Sequence, residues 1–147
     1  MKIQSSAFEN NGTLSSAFTC DGENVNPDLQ ISEVMENAKS LALIVNDPDA
    51  PSGDWVHWIV WNIDPKITEI KQNSTPSNGV LGQTDFGENK WNGPCPPSGI
   101  HHYNFTLYAL DIMLDIPTSS KKAELLKAME GHIVDQTVLV GMYQRKK

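Results

Sequence analysis

Two short stretches of this chain gather residue types that can hold an anion. Asp47-Pro48-Asp49-Ala50-Pro51 sets two carboxylates among prolines. Fixed φ angles and missing donors stiffen such a backbone while the carboxylates seek amides or a ligand. Alone, the segment reads as an Asx-Pro turn. The second stretch is Gly93-Pro94-Cys95-Pro96-Pro97-Ser98-Gly99. Its glycines allow backbone N–H groups to approach an anion closely, and one of its X-Pro bonds is a candidate for the cis form. His57 follows the first stretch, and His101 and Tyr103 follow the second. Imidazoles donate hydrogen bonds to phosphate or carboxylate, and a nearby aspartate favours their charged form. The chemistry implied is capture of a compact anion: His57 and His101 donate, Asp47 accepts from them, and Tyr103 adds its hydroxyl and ring.

Other chemistries fit these residues less well. Taken singly, His57 is more often a satisfied core histidine and Tyr103 a core or rim residue; it is their convergence that points to a site. A zinc site from Asp47, His57, His101 and His102 fails because neighbours on a strand point oppositely and no short His spacing exists. No metal and no cofactor are expected. No serine sits in a nucleophile-elbow sequence, and Cys95, beside Gly93 and Pro94, is the one nucleophile worth testing. Asp85-Phe86-Gly87 matches the kinase metal-binding triplet, but no glycine-rich loop or catalytic-loop motif accompanies it, so the match reads as coincidence.

The elements that must position these groups are mostly strands. Ser40 to Asn46 is a short apolar run ending at a Pro-containing turn, the pattern of a strand buried on both faces. Trp55 to Ile63 is aromatic and β-branched, a central strand whose period of two places Trp55, His57, Ile59, Trp61 and Ile63 on one face. His101 to Leu110 alternates, so His101, Tyr103, Phe105, Leu107 and Ala109 point one way. Asp64 to Gly99 is rich in Pro, Gly, Asn, Ser and Thr and reads as long ordered loops. Asn10-Asn11-Gly12 signals a hairpin within Ala7 to Thr19. Lys121 to Ile133 reads as one amphipathic helix with Leu125, Leu126, Met129 and Ile133 on its apolar face, and Thr137 to Tyr143 as a closing strand. One helix with six or more strands is most economically an antiparallel Greek-key β-sandwich.

At 147 residues the chain is expected to form a single domain over residues 1–147, with an ordinary apolar and charged content for a folded protein. A net charge of −7 and a pI near 4.9 argue against nucleic acid as a partner and against anionic membrane surfaces. A bound anion must therefore be held locally. Arg145, Lys146 and Lys147 read as solvated tail. Met1 to Phe8 lacks a signal-peptide apolar run and no segment is long enough to span a bilayer, so an integral membrane protein is not expected and the cytoplasm is the simplest location. Cys20 and Cys95 have neither metal-site nor redox-motif spacing and read as two reduced thiols, with one disulfide as the alternative.

Asp47 to Pro51, followed by His57-Trp58-Ile59-Val60 and then by Gly93 to Tyr103, resembles in order and separation the two signature regions of the phosphatidylethanolamine-binding protein (PEBP) family. The resemblance is closest to its short bacterial and archaeal branch, the Raf kinase inhibitor-like (YbhB/YbcL) type. It extends over nearly the whole chain, through Asp21-Gly22, Asn26-Pro27, Asp85-Phe86-Gly87 and Gly131-His132, the last pair placed on the helix. It implies a Greek-key sandwich with an anion pocket at one end and a binding role instead of an enzymatic one. Asp47, His57, His101 and Tyr103 would line the pocket for a phosphate-like group, such as a phospholipid head group or nucleotide phosphate. Pro51, Trp55 and Gly93 would shape its wall, and Asp49 would tie the first loop to the second signature. Where the family usually has Arg after the second-signature His, this chain has His102. Strand alternation points it away from the pocket, and any pairing with Asp49 becomes pH-dependent. Relatives are associated with kinase regulation and protease inhibition, so the alternative is an inhibitor of a kinase or protease acting by surface contact, through a loop near Asn73 to Asn78. A weak homodimer is the expected assembly.

Overall fold

The computed structural model describes residues 1–145; Lys146 and Lys147 lie outside the described residues. Nine strands and one helix follow in the order β1 (Lys2–Gln4), β2 (Gly12–Thr13), β3 (Leu29–Ser32), β4 (Ser40–Asp47), β5 (Trp55–Ile63), β6 (Glu69–Ile70), β7 (Val80–Leu81), β8 (His101–Leu110), α1 (Lys122–Met129) and β9 (Ile133–Tyr143). They form a three-stranded sheet, β1-β3-β6, and a six-stranded sheet, β2-β9-β8-β4-β5-β7. Among the described residues the molecule is mainly β, a sandwich with one α-helix, as expected. Pairing is antiparallel except for β2 with β9.

Strand β4 carries the apolar run that buries both faces. Leu41, Leu43 and Val45 meet Phe105, Leu107 and Ala109 of β8 and the small sheet's Ile3, Leu29, Ile31 and Ile70 in the core between the sheets. Ala42 and Ile44 face the other way, into a layer completed by Leu125 and Met129 of α1. All five β4 residues are essentially inaccessible to water, and full burial of each larger one stabilises by roughly 1.5–3 kcal/mol. Leu43→Ala would open a cavity in this central strand and cost about 2–5 kcal/mol.

Strict alternation fails on β5. Its register against β4 slips twice, between Leu43↔Val60 and Leu41↔Ile63, and between Val45↔Trp58 and Asn46↔Val56. Each slip adds one residue to β5, a β-bulge that re-aims the side chains beyond it. The extra residue of the second slip is His57. The five positions expected on one face are consequently divided: Trp55 and His57 line a cleft, Ile63 enters the inter-sheet core, and Ile59 and Trp61 pack under the helix. At the first slip Asn62 takes φ +55°, its side chain both donating to and accepting from the Leu114 backbone.

Three local expectations are corrected. The Asn-Gly turn exists, with Asn11 at φ +66° and Gly12 N–H bonded to the Glu9 carbonyl. It is not a hairpin, because β1 pairs with β3 and β2 pairs with β9. The helix stops at Met129, since Gly131 turns the chain at φ +78° and Ile133 already starts β9. Leu126 and Ile133 are therefore exposed, and Gly131-His132 lies in the turn. Arg145 is no free tail: its guanidinium donates to Asp21 Oδ1 at 3.0 and 3.2 Å, and Tyr143 donates to Asp21 Oδ2 at 2.6 Å. Those donors hold the Asp21 carboxyl below its usual range.

The thiols are also not free. Cys20 and Cys95 form a disulfide, with Cα atoms 5.5 Å apart across 75 residues of sequence. Three polar contacts lay the two segments together: Cys20 N–H to the Pro94 carbonyl, Trp91 Nε1–H to the Phe18 carbonyl, and Gly93 N–H to Asn24 Oδ1. None of these is visible in the spacing of the cysteines. The bond withdraws Cys95 as a nucleophile. Every peptide bond among the described residues is trans, the X-Pro bonds included.

Candidate functional site

Asp47, at the last position of β4, is buried and both of its oxygens are engaged. Oδ1 accepts from the Asp49 N–H at 2.8 Å, closing an Asx turn that the flanking prolines stiffen, and Oδ2 lies 2.6 Å from His101 Nδ1. The other nitrogen of His101, Nε2, lies 3.1 Å from the Ser98 carbonyl. Both ring nitrogens face protein acceptors, so neither is open to a ligand without breaking one of these contacts. Asp47 and His101 thus form a sealed pair whose hydrogen bonds stay within the protein. The expectation that His101 donates directly to a ligand is met only if a ligand oxygen replaces the Ser98 carbonyl.

His57 is placed differently. Its Nδ1 donates to the Asn92 carbonyl at 2.5 Å, and its ring packs edge-on against Phe86 and Tyr103, each with a centroid separation of 5.3 Å. Burial pushes the imidazole below its ordinary pKa, against the opposing pull of the Asn92 and Gly93 backbone, Asp47 and Asp85. Among the described residues, Nδ1 is the ring nitrogen that makes a side-chain hydrogen bond, and Nε2 makes none of that kind. Tyr103, two residues along the strand from His101, has the one enclosed side-chain polar atom without a hydrogen bond among the described residues, its hydroxyl oxygen. Burial, with Asp47 beside it, pushes the phenol pKa upward, so the hydroxyl keeps its proton.

These groups share one cleft of about 340 Å³, walled by Ala50, Pro51, Trp55, Phe86, Pro96 and Pro97. That volume lies at the small end of ligand pockets. Asp47, His57, His101, Tyr103, Pro51 and Trp55 all line it. Gly93 does not; it is buried behind the wall, where an added Cβ would collide with the Phe18 carbonyl and Asn24 Oδ1. Cys95 lines the cleft as half of the disulfide. Asp49 ties the first loop to the second signature as expected, its Oδ2 accepting from the His102 N–H at 2.8 Å and lying 2.7 Å from His102 Nδ1. Those two contacts hold the Asp49 carboxyl below its usual range.

Phe86 is the lining residue that sequence reasoning passed over. Asp85 Oδ2 accepts from the Val56 N–H at 2.8 Å, and Asp85 N–H donates back to the Val56 carbonyl at 3.1 Å. This two-point clamp on β5 lays Phe86 against Trp55 and His57. The triplet read as a kinase coincidence is the anchor of the cleft's aromatic wall. An exposed aromatic flanked by a carboxylate and a glycine was the available signal.

A family model described as phosphatidylethanolamine-binding protein matches residues 4–144. A UPF0098 protein of Methanothermobacter thermautotrophicus is 45% identical, over 99% of this chain and 99% of its own length. A UPF0098 protein of Pyrococcus horikoshii is 46% identical, over 97% of this chain and 76% of its own. Among solved structures, the putative PEBP homolog CT736 of Chlamydia trachomatis superposes with a TM-score of 0.94 at 37% identity, covering 98% of this chain and 97% of that one. YbcL of E. coli, described as a new member of the mammalian PEBP family, superposes with a TM-score of 0.91 at 29% identity, covering 99% and 98%.

Proposed function

The chain belongs to the phosphatidylethanolamine-binding protein family, a family of ligand-binding proteins, and from that premise we propose that its cleft captures a small anionic, phosphate-like group without turning it over. The observation carrying this reading is the Tyr103 hydroxyl, enclosed and unpartnered beside a His57 whose Nε2 is also unclaimed. Leaving the enclosed Tyr103 hydroxyl unpaired costs about 1–3 kcal/mol, which a polar ligand recovers. Apolar walls suit this role, because a hydrogen bond to an anion is stronger where water is excluded. With Asp47 already balanced by His101, its carboxylate does not repel the guest outright. Binding without turnover is part of the proposal, and two features support it: Cys95 is oxidised, and Asp47 is satisfied by Asp49 and His101.

Isothermal titration with phosphoethanolamine and with a simple nucleotide, on wild type and Tyr103→Phe, tests the reading. Loss of one hydrogen bond to a charged group should weaken binding about tenfold or more. His101→Ala is the harsher variant, since it strands a buried carboxylate; equal heats for all three proteins would remove the assignment. The cytoplasmic location is proposed with it. Disulfides persist in oxidising compartments and inside hyperthermophiles, so a cytoplasm that keeps Cys20–Cys95 oxidised is required. Alkylation of free thiols in fresh lysate, finding both cysteines reduced, would contradict the bond.

A further inference from the structure

Among the described residues, no lysine or arginine lines the cleft. His101 is paired with Asp47 and engaged at both ring nitrogens, so any charge it carries is already matched within the protein. An anion entering this cavity therefore meets no unspent positive charge in the empty protein. His57 is the group that can supply it. Its Nδ1–H is held on the Asn92 carbonyl, so the neutral ring offers a lone pair at Nε2, and a lone pair repels an anionic oxygen.

Resting on the anion reading of the cleft, we infer that His57 is its specificity-determining residue, holding a phosphoryl oxygen at Nε2 only with a proton between them, so that each capture takes up one proton. The groups facing His57 from every packed element agree on the sign. Asp47 at the end of β4 and Asp85 in the loop after β7 favour its charged form, as do the Asn92 and Gly93 carbonyls. Tyr103 on β8 stays neutral, and His101 is cancelled by its aspartate. Opposing them is burial alone, which keeps the ring neutral until a counter-charge arrives. Proton and anion enter as a neutral pair, a form that an apolar-walled pocket accepts at lower cost than a bare charge. The proton comes from solvent, and no bond in the ligand is broken.

The decisive probe is glycerophosphoethanolamine, a phosphodiester whose phosphate carries no titratable proton near neutrality; phosphoethanolamine, a monoester, is the second arm. Titration calorimetry at pH 7.5 in buffers of different ionisation enthalpy should find uptake of about one proton per diester bound. Affinity should fall about tenfold per pH unit between pH 7 and 8, as one linked proton demands. His57→Gln offers a non-titrating N–H donor and should bind with no proton exchange and a flat pH profile. The ring nitrogens of wild-type His57, followed by 15N NMR, give a second reading that needs no variant: Nε2 should be protonated only in the complex. Diester binding without proton exchange overturns the inference while leaving the anion site standing. Binding of the monoester alone does the same, because the ligand then brings the proton itself. No binding by either arm removes both the inference and the reading beneath it.

Discussion

His101 and His102 are consecutive, and each meets an aspartate, Asp47 at the end of β4 and Asp49 in the turn that follows it, yet the two pairs lie in different media. The His101–Asp47 side chains are 8% and 5% exposed, whereas those of His102–Asp49 are 47% and 41% exposed. Alternation along β8 sends the first ring inward and the second to the surface. Charge attraction at similar distance is several times stronger in the low-dielectric interior than in water, and the cost of stranding one partner rises with it. The inner pair is therefore a commitment of the fold: it fixes the end of β4 against β8 and determines the charge the cleft presents. The outer pair is a clasp, and much of its value lies in the His102 amide that Asp49 also receives. His102 belongs to the outer pair alone, so a change of residue there leaves the inner pair intact.

Removing one carboxylate at a time breaks the symmetry most visibly. Asp47→Ala leaves the buried His101 ring without its acceptor and should cost about 3–5 kcal/mol in urea unfolding; a loss under about 1 kcal/mol would mean the inner pair is no different from the outer. His57, buried but without an aspartate of its own, sharpens the contrast through pH. Its folded pKa is lowered, so the unfolded chain binds the extra proton first. The contribution is fully present above the unfolded value of 6.5 and is lost as pH falls toward the folded one. The slope is at most about 1.4 kcal/mol per pH unit. Wild type minus His57→Gln, melted in ligand-free buffer from pH 7 to 5, should isolate that slope.

Asp49→Ala should cost only about 1 kcal/mol, mostly the lost amide bond. Its pH signature is opposite in range. The depressed carboxyl keeps the clasp closed above the ordinary aspartate value near 4, and the clasp opens as pH falls through the lower folded value. Faster hydrogen exchange at the His102 amide under acid conditions, with the β8 interior still protected, would report it. Smallest of all, His102→Arg should change stability by less than about 0.5 kcal/mol and leave ligand affinity untouched. A change in affinity would mean the two faces of β8 are coupled.

Strands β4 and β8 were legible because their patterns are unbroken: an apolar run in one, and His101, Tyr103, Phe105, Leu107 and Ala109 in strict alternation in the other. Both signature stretches could be placed because proline turns end strands where they stand. Strand β5 has an equally strong composition, yet its faces could not be read. A bulge is decided by the partner's register, and nothing local marks His57 as the inserted residue. Asn11 was read correctly as a left-handed turn residue and wrongly as a hairpin, since local chemistry fixes the turn and distant strands choose the pairing. Phe86 was missed, and the Cys20–Cys95 bond ranked behind two reduced thiols, for a related reason. Each depends on two loops meeting, Asp85 on Val56 and Pro94 on Cys20, and loop composition carries no address.

The bond between Cys20 and Cys95 also closes a ring in the chain and leaves two open segments, of which the longer is the tail that follows Cys95. Asp47 and His57 lie on the ring; His101 and Tyr103 sit on the tail, only a few residues past the knot. In the unfolded oxidised chain the tail's start is thereby tethered near the ring, and the search that brings His101 to Asp47 spans a shorter effective length than their 54-residue separation. The two halves of the cavity are born close together, and the sandwich has less entropy to surrender in joining them.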